Sequence, residues 1–467
     1  LRKRLLFFQE GNMKYAETNK NLLKIGFPIF AGFLVGQVQQ ITDQAFLGHV
    51  SANNLSAVGN ASTTIWTTMS FLFSLGTGAA ILVSQKIGEK NRAEAEKILG
   101  STFVFSSFFA VAIFLVWFFF NTAIFRLMGV TEPILGATAL YAKIYTFGVL
   151  LSGFSSAANA VYNGNGNTKP LMVASILRAL INVILDWILI FGHFGFPALG
   201  IAGAAIATLI SDIVGNGYAV ACAFSRKLDI RLSFASIRKA NLRTYINVIK
   251  IGVPAGFEEF AWNLGSILLI RFLNEVNPLA AGIFTIINTI TLIPVFLFIG
   301  LGNAATTLSG RNTGAGKPEE IRTTIRAAMI LCWAASIAAF AIFALFPGPI
   351  TRIFTQDPEV IAQTGAMLIV CGITLLPRSA NIIYGGGIRG MGDTKWMLLS
   401  QIFGTVLVLV LARVFIFNLS LAVLGLFVAV FFDEVVRGAI NGWYFHSKVR
   451  KQERLIASSP AQSVGEA

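Results

Sequence analysis

The chain repeats itself, and the spacing of the repeat constrains the fold more than any single motif does. Lys24-Ile25-Gly26-Phe27-Pro28 returns as Lys250-Ile251-Gly252-Val253-Pro254, an offset of 254 − 28 = 226 residues. Gly88 and Gly314 keep the same offset, as do Gly166-Asn167-Thr168-Lys169 and Gly392-Asp393-Thr394-Lys395. Three landmarks in one register mark a duplicated unit of roughly half the protein.

Composition says where that unit resides. Of 467 residues, 55% are hydrophobic and 12% charged, with a mean hydropathy of +0.71. Soluble domains carry about 25% charged residues, so this chain has too little polar surface for water and reads as a membrane protein. The net charge of +14 does not point to nucleic acid, because the basic residues collect in bands. They lie at Arg2 to Lys24, Lys86 to Lys97, Arg226 to Lys250, Arg311 to Arg326 and Lys448 to Arg454, whereas 48–57, 192–200 and 417–420 hold no Lys or Arg. That alternation is the positive-inside pattern, and it predicts cytoplasmic N- and C-termini.

A spanning helix needs about 20 apolar residues, which predicts six spans per repeat. They fall at 24–47, 60–84, 98–121, 137–162, 171–192 and 200–224, then 248–273, 280–303, 325–346, 363–388, 396–417 and 422–446. The expected organisation is an N-lobe over 1–224, a cytoplasmic linker over 225–246, a C-lobe over 247–447 and a tail over 448–467, disordered beyond about Arg454. Because six is even, both repeats enter from one side. The predicted fold is therefore all-α and integral to the membrane: about twelve transmembrane helices in two six-helix bundles, related by a pseudo-twofold axis along the membrane normal. Two such bundles leave a cleft at mid-membrane, a place where transporters bind cargo. The first apolar run follows a basic lead and is long enough to span, so no removable signal peptide is expected.

Several motifs resemble chemistry without its context. Gly385-x-Gly387-x-x-Gly390 matches a dinucleotide fingerprint but ends an apolar helix with no strand before it. Gly314-Ala315-Gly316-Lys317 resembles part of a phosphate loop, yet Arg311 and Pro318 stand where Gly and Ser/Thr are required. His49, His193 and His446 lie far apart at helix ends, and Cys222, Cys332 and Cys371 show no ligand spacing. No metal, organic cofactor, enzymatic activity or nucleic-acid partner is expected.

Acidic residues inside the spans are the candidates for function, since each costs about 2.5 to 3.5 kcal/mol on insertion scales. Asp43 lies in span 1 and Asp186 near the middle of span 5, with Asn182 one helical turn before it on the same face. Thr208 stands in the small-residue run GAAIATLIS of span 6, which permits close helix approach. Two carboxyl groups near one another in an apolar setting do not both stay ionised cheaply, so such a site can take up and release a proton. The bland reading is that each acid bonds only to neighbouring amides. At an offset of 226 the two acids map onto Leu269 and Ala412, so their chemistry belongs to one lobe. The second lobe has its own set: Glu258, Glu259, Arg378, Asp433, Glu434 and Arg437. Asp433 and Arg437 are one turn apart, and the group reads as a structural ion-pair network. Aligning Leu199-Gly200 with Leu424-Gly425 places Asp433 opposite Thr208.

With these residues assembled, the chain resembles the MATE (multidrug and toxic compound extrusion) family over nearly its whole length. The resemblance rests on Pro28, Asp43 and Gly48-His49 around span 1, on Asn182 to Asp186 followed by Thr208, and on Gly390 to Lys395 after span 10. It implies a V-shaped pair of six-helix lobes and secondary active export of amphipathic organic cations or related compounds, in exchange for H⁺ or Na⁺. The implied coupling residues are Asp43, Asn182, Asp186 and Thr208, with Tyr141, Asn159 and Gln39 at the cargo cavity. Pro28 would let span 1 bend, since it removes one helix hydrogen bond. Branches that couple through the second lobe carry a span 7 glutamate eight residues past the proline; here that position is Trp262, which favours H⁺ coupling in the first lobe. The expectation is a monomer in a prokaryotic plasma membrane, contacting lipid and small cationic or amphipathic cargo. A flippase for lipid-linked oligosaccharides, from the same superfamily, is the alternative.

Overall fold

The computed structural model describes the backbone of residues 2–276 and 278–458 and, position 278 apart, the side chains from Lys14 onward. Twelve long helices and two short ones account for nearly all of it. They are α1 (Arg2–Val50), α2 (Ala52–Gly88), α3 (Arg92–Leu127), α4 (Ile134–Asn165), α5 (Lys169–Phe191), α6 (Ile201–Ala223) and α7 (Phe234–Arg238). The second half supplies α8 (Leu242–Val276), α9 (Pro278–Gly314), α10 (Pro318–Leu345), α11 (Pro347–Arg352), α12 (Pro358–Gly390), α13 (Thr394–Arg413) and α14 (Ala422–Ala457). Each predicted span lies on one long helix. Several helices overrun the apolar limits, because a hydrogen-bond ladder does not stop where the hydrocarbon does. α14 also continues past Arg454 to Ala457, where a disordered tail was expected; the rest of that expectation falls on 459–467, outside the described residues.

Among the described residues, ten helices are long and apolar enough to cross a membrane. The other two long ones, α8 and α14, fall short because they carry Glu258 and Glu259, and Asp433, Glu434 and Arg437.

The chain divides into two compact units. The N-unit is Pro28–Gly256, and the C-unit joins the segment before Pro28 to the residues from Phe257 onward. Helices α1 and α8 thus give their first part to one unit and the remainder to the other. Both run unbroken through their internal prolines, Pro28 and Pro254. In the N-unit α4 packs on α2, α3 and α6, and α5 packs on α6. In the C-unit α12 packs on α9, α10 and α14, and α13 packs on α14.

The duplication is therefore one of packing as well as of letters. Gly26 lies against Gly300 and Leu301 in the C-unit, and Gly252 lies against Ser74 and Leu75 in the N-unit; both members of each contact are shifted by the same 226 residues. A Cβ on Gly26 would sit 3.0 Å from the Gly300 carbonyl oxygen, and one on Gly252 2.8 Å from that of Ser74. Backbone approach this close needs glycine, and small residues replace the hydrophobic effect as the means of helix association in lipid.

After the fifth helix of each repeat the register changes. The Leu199 N–H donates to the Leu189 carbonyl at 2.9 Å, and the Leu421 N–H donates to the Phe415 carbonyl at 3.0 Å. Phe415 is Leu189 shifted by 226, but Leu421 is Leu199 shifted by 421 − 199 = 222. Gly203 and Gly425, packed on those same two turns, confirm the smaller offset. The match of Leu199-Gly200 to Leu424-Gly425 is corrected accordingly: Thr208 corresponds to Val430, and Glu434 corresponds to Asp212. The first half simply has the longer turn, His193 to Ala198.

The segment 225–241 is docked rather than slack. The Asn165 side chain donates to the Ile230 carbonyl at 2.6 Å, Ser101 Oγ accepts the Asn241 N–H at 3.0 Å, and Ser106 bonds the Tyr245 hydroxyl at 3.1 Å. Gly100 leaves room for the Ser236 carbonyl, which any Cβ there would strike.

Candidate functional site

The N-unit carries stripes of polar side chains on three helices. On α5, Arg178, Asn182 and Asp186 are spaced by four residues and share a stripe; Gln39 and Asp43 do so on α1, and Thr208 and Asp212 on α6. Asn182 and Asp186 are fully buried, at 0% and 1% exposure. The Asn182 amide, turned with its nitrogen toward α1, donates to Asp43 Oδ1 at 2.7 Å and lies 2.8 Å from the Gln39 side chain. The Asp43 and Asp186 carboxyls are within hydrogen-bonding reach of each other. Asp186 Oδ1 is buried and accepts no hydrogen bond.

Tyr141 of α4 is buried near this pair, close to Ser62 and Thr208. The Thr208 hydroxyl donates to the Ala204 carbonyl one turn back, at 2.9 Å. Asn159 stands apart. It lies eighteen residues beyond Tyr141 on α4, about 27 Å along a helix axis, and its amide donates to the Ser155 carbonyl of its own helix at 3.0 Å. The structure thus brings Gln39, Asp43, Tyr141, Asn182, Asp186 and Thr208 together and leaves Asn159 at another depth.

Two members of this site escaped sequence reading. Asp212 of α6 is buried, at 8% exposure, and its carboxylate lies 3.6 Å from the Arg178 guanidinium of α5. Both stand mid-helix, Arg178 tenth of the 23 residues of α5 and Asp212 twelfth of the 23 of α6, so the cost of a charge in an apolar run marks them as it marks Asp43 and Asp186. A second signal was the four-residue spacing from Thr208 and from Asn182.

In the C-unit, Arg378, Asp433, Glu434 and Arg437 form a continuous network. Arg437 Nε and Nη2 donate to Asp433 at 2.9 and 2.5 Å, and Nη1 donates to Gln401 at 2.9 Å. Glu434 lies 3.4 Å from Arg437 and 3.6 Å from Arg378, and accepts from Asn381 at 2.9 Å. Asn381 in turn accepts from Asn441 at 2.8 Å, and Asn441 from the Trp396 indole at 2.9 Å. The Arg378 guanidinium sits 5.8 Å from the Trp262 ring centre, at a distance where the ring face attracts a cation. Glu258 pairs with Arg389, a partner that stands where the first repeat has Asn163. Glu259 is exposed beside it.

The two units differ in charge balance. In the C-unit cluster two carboxylates face two guanidiniums, and every member is hydrogen-bonded or paired. In the N-unit site three carboxyl groups face one guanidinium, and the amides around Asp43 and Asp186 are neutral. Burying unmatched carboxylates is expensive unless a proton or cation joins them.

Comparison with known proteins agrees with this geometry. The MatE family profile matches residues 28–188 and again 254–414, so the duplicated register reappears in the match itself. A probable multidrug resistance protein NorM of Thermotoga maritima is 26% identical, with 96% of this chain and 97% of that protein aligned. The multidrug resistance protein PmpM of Pseudomonas aeruginosa is also 26% identical, over 82% of this chain and 81% of its own. Among solved structures, the outward-facing conformation of a multidrug resistance MATE family transporter of the MOP superfamily has a TM-score of 0.86. It covers 93% of this chain and 96% of its own at 18% identity, which is a likeness of fold. A duplicated helical membrane protein matched by the family profile in both halves is what these observations describe, and the chain belongs to the MATE family.

Proposed function

We propose that the protein is a multidrug exporter that expels amphipathic organic cations in exchange for protons, coupling through Asp43 and Asp186. The observation that carries this reading is the close approach of the buried Asp186 carboxyl and the half-buried Asp43 carboxyl without a matching positive charge. Two carboxylates at that distance repel strongly, and one proton shared between them removes the repulsion. The related multidrug resistance proteins support export as the direction of transport.

In the proposed cycle a proton from outside adds to the Asp43/Asp186 pair and cancels one negative charge, which weakens the hold on a cationic cargo. After reorientation the proton leaves to the cytoplasm, and the restored charge attracts the next cation. Asn182 holds Asp43 in place while its charge changes, with Gln39, Thr208 and Tyr141 close by. Pro28 lacks the N–H that would tie span 1 to the preceding turn, so bending there is inexpensive. The coupling ion is H⁺ in preference to Na⁺, and no resident cofactor is required. The banding of Lys and Arg supports cytoplasmic termini in a plasma membrane, and the duplicated chain can work as a monomer among lipids.

The test is efflux of a fluorescent cation from reconstituted vesicles under a pH gradient or a sodium gradient, imposed separately. Asp43→Asn and Asp186→Asn should each abolish pH-driven efflux in folded protein. Full activity in either variant refutes the assignment.

A further inference from the structure

Asp212 is a buried acid that the proposed cycle does not use. It lies one turn from Thr208 on α6, against Gly148 of α4, where an added Cβ would be 3.5 Å from its Oδ2. The titratable and charged groups facing it are Arg178 of α5, Tyr145 of α4 and Asp43 of α1. Left unmatched, it would be a third carboxylate competing for the coupling proton.

Arg178 supplies the match, and the helices are built to admit it. Gly215 of α6 lies directly beneath it: a Cβ there would sit 3.0 Å from Arg178 Cβ and 2.9 Å from the Ala174 carbonyl oxygen. In the C-unit the corresponding positions are Gly404 of α13, for Arg178, and Arg437 of α14, for Gly215. There the glycine and the arginine have changed places, and a Cβ on Gly404 would collide with the Arg437 side chain. Each unit therefore buries an acid at equivalent points, Asp212 or Glu434, and each sets a guanidinium beside it, but the guanidinium comes from opposite helices. Arg437 shares a helix with Asp433 and Glu434 and, together with Arg378, neutralises that group. Arg178 is 3.6 Å from Asp212 but two helical turns, about 12 Å along the axis, from Asp186. Coulomb attraction falls with distance, so it acts on Asp212 about three times as strongly.

We propose that Arg178 is a positioning residue that gives Asp212 a fixed countercharge and so confines charge exchange in the N-unit to Asp43 and Asp186. This rests on the coupling reading above. A guanidinium stays protonated at any working pH, which makes it suited to withdraw one acid from exchange permanently.

The test is the pH profile of cation efflux by full-length protein in vesicles, with thermal unfolding of each variant in detergent. Arg178→Gln should move the half-maximal pH by about one unit or more, since an unmatched carboxyl joins the titration. The double variant Arg178→Gln/Asp212→Asn should restore the wild-type profile, because charge and countercharge leave together. Arg178→Gly/Gly215→Arg, which copies the C-unit arrangement, should also keep it. If Arg178→Gln fails to fold, recovery of folding in the double variant supports the same conclusion. An unchanged profile in Arg178→Gln, or no recovery of either property in the double variant, overturns the proposal and leaves the coupling reading standing. Wild-type efflux that ignores a pH gradient overturns both.

Discussion

The Asn182 amide reaches from α5 to α1 and holds Asp43 Oδ1 at 2.7 Å. This bond fastens the helix that carries Pro28 to the helix that carries Asp186, so a change in the charge of Asp43 is felt on both.

Replacing Asn182 by Leu removes the donor but keeps similar bulk. The half-buried Asp43 carboxylate then loses a hydrogen bond, at a cost of about 1 kcal/mol. The Tm should fall, and pH-driven efflux should drop with it. Asn182→Asp places a third acid in contact with the pair and should shift the pH at which efflux is half-maximal, as read in vesicles.

The C-unit network predicts a contrast between single and paired substitutions. Arg437→Met leaves Asp433 and Glu434 buried beside a missing charge and should destabilise by about 3–5 kcal/mol. Arg437→Met with Asp433→Leu returns one charge of each sign to neutrality and should recover most of that loss in thermal unfolding. Equal destabilisation in both variants would show that packing, not charge, holds the cluster together.

At the start of α13, outside the spans, Asp393 accepts from both Lys448 and Tyr444 of α14. Burial alone would raise its carboxyl, but those donors outweigh it and hold the group below its ordinary value of 3.8. A carboxyl lowered on folding stabilises the protein above the unfolded value and loses that contribution as pH falls through the folded one. Asp393→Asn should therefore lower the Tm at pH 7, and the difference from wild type should shrink once the pH drops below about 3.8. A difference that persists at low pH would contradict the assignment.

The docked segment gives a steric prediction. Gly100→Val drives a side chain into the Ser236 carbonyl, so residues 230–241 should lift from α3. Trypsin should then cleave after Arg238 or Lys239 faster than in wild type, while the helices stay protected.

Much of this protein is legible in its letters. The long apolar runs determine the helices, because in hydrocarbon the backbone must satisfy its own hydrogen bonds. The 226-residue register determines the duplication, and the glycine contacts of Gly26 and Gly252 follow from it. Asp43 and Asp186 stand out because a charge in an apolar run is costly wherever it falls. Tertiary structure alone decided the rest. Arg178 with Asp212, and Arg389 with Glu258, are pairings between different helices, and the letters of one helix do not say which charge of another will face it. The four-residue slip after Leu189 and Phe415 was likewise hidden, since turns vary in length without disturbing the pattern on either side. One-dimensional pattern records how each helix meets lipid; which charge neutralises which depends on distances of a few ångströms, and only packing sets those.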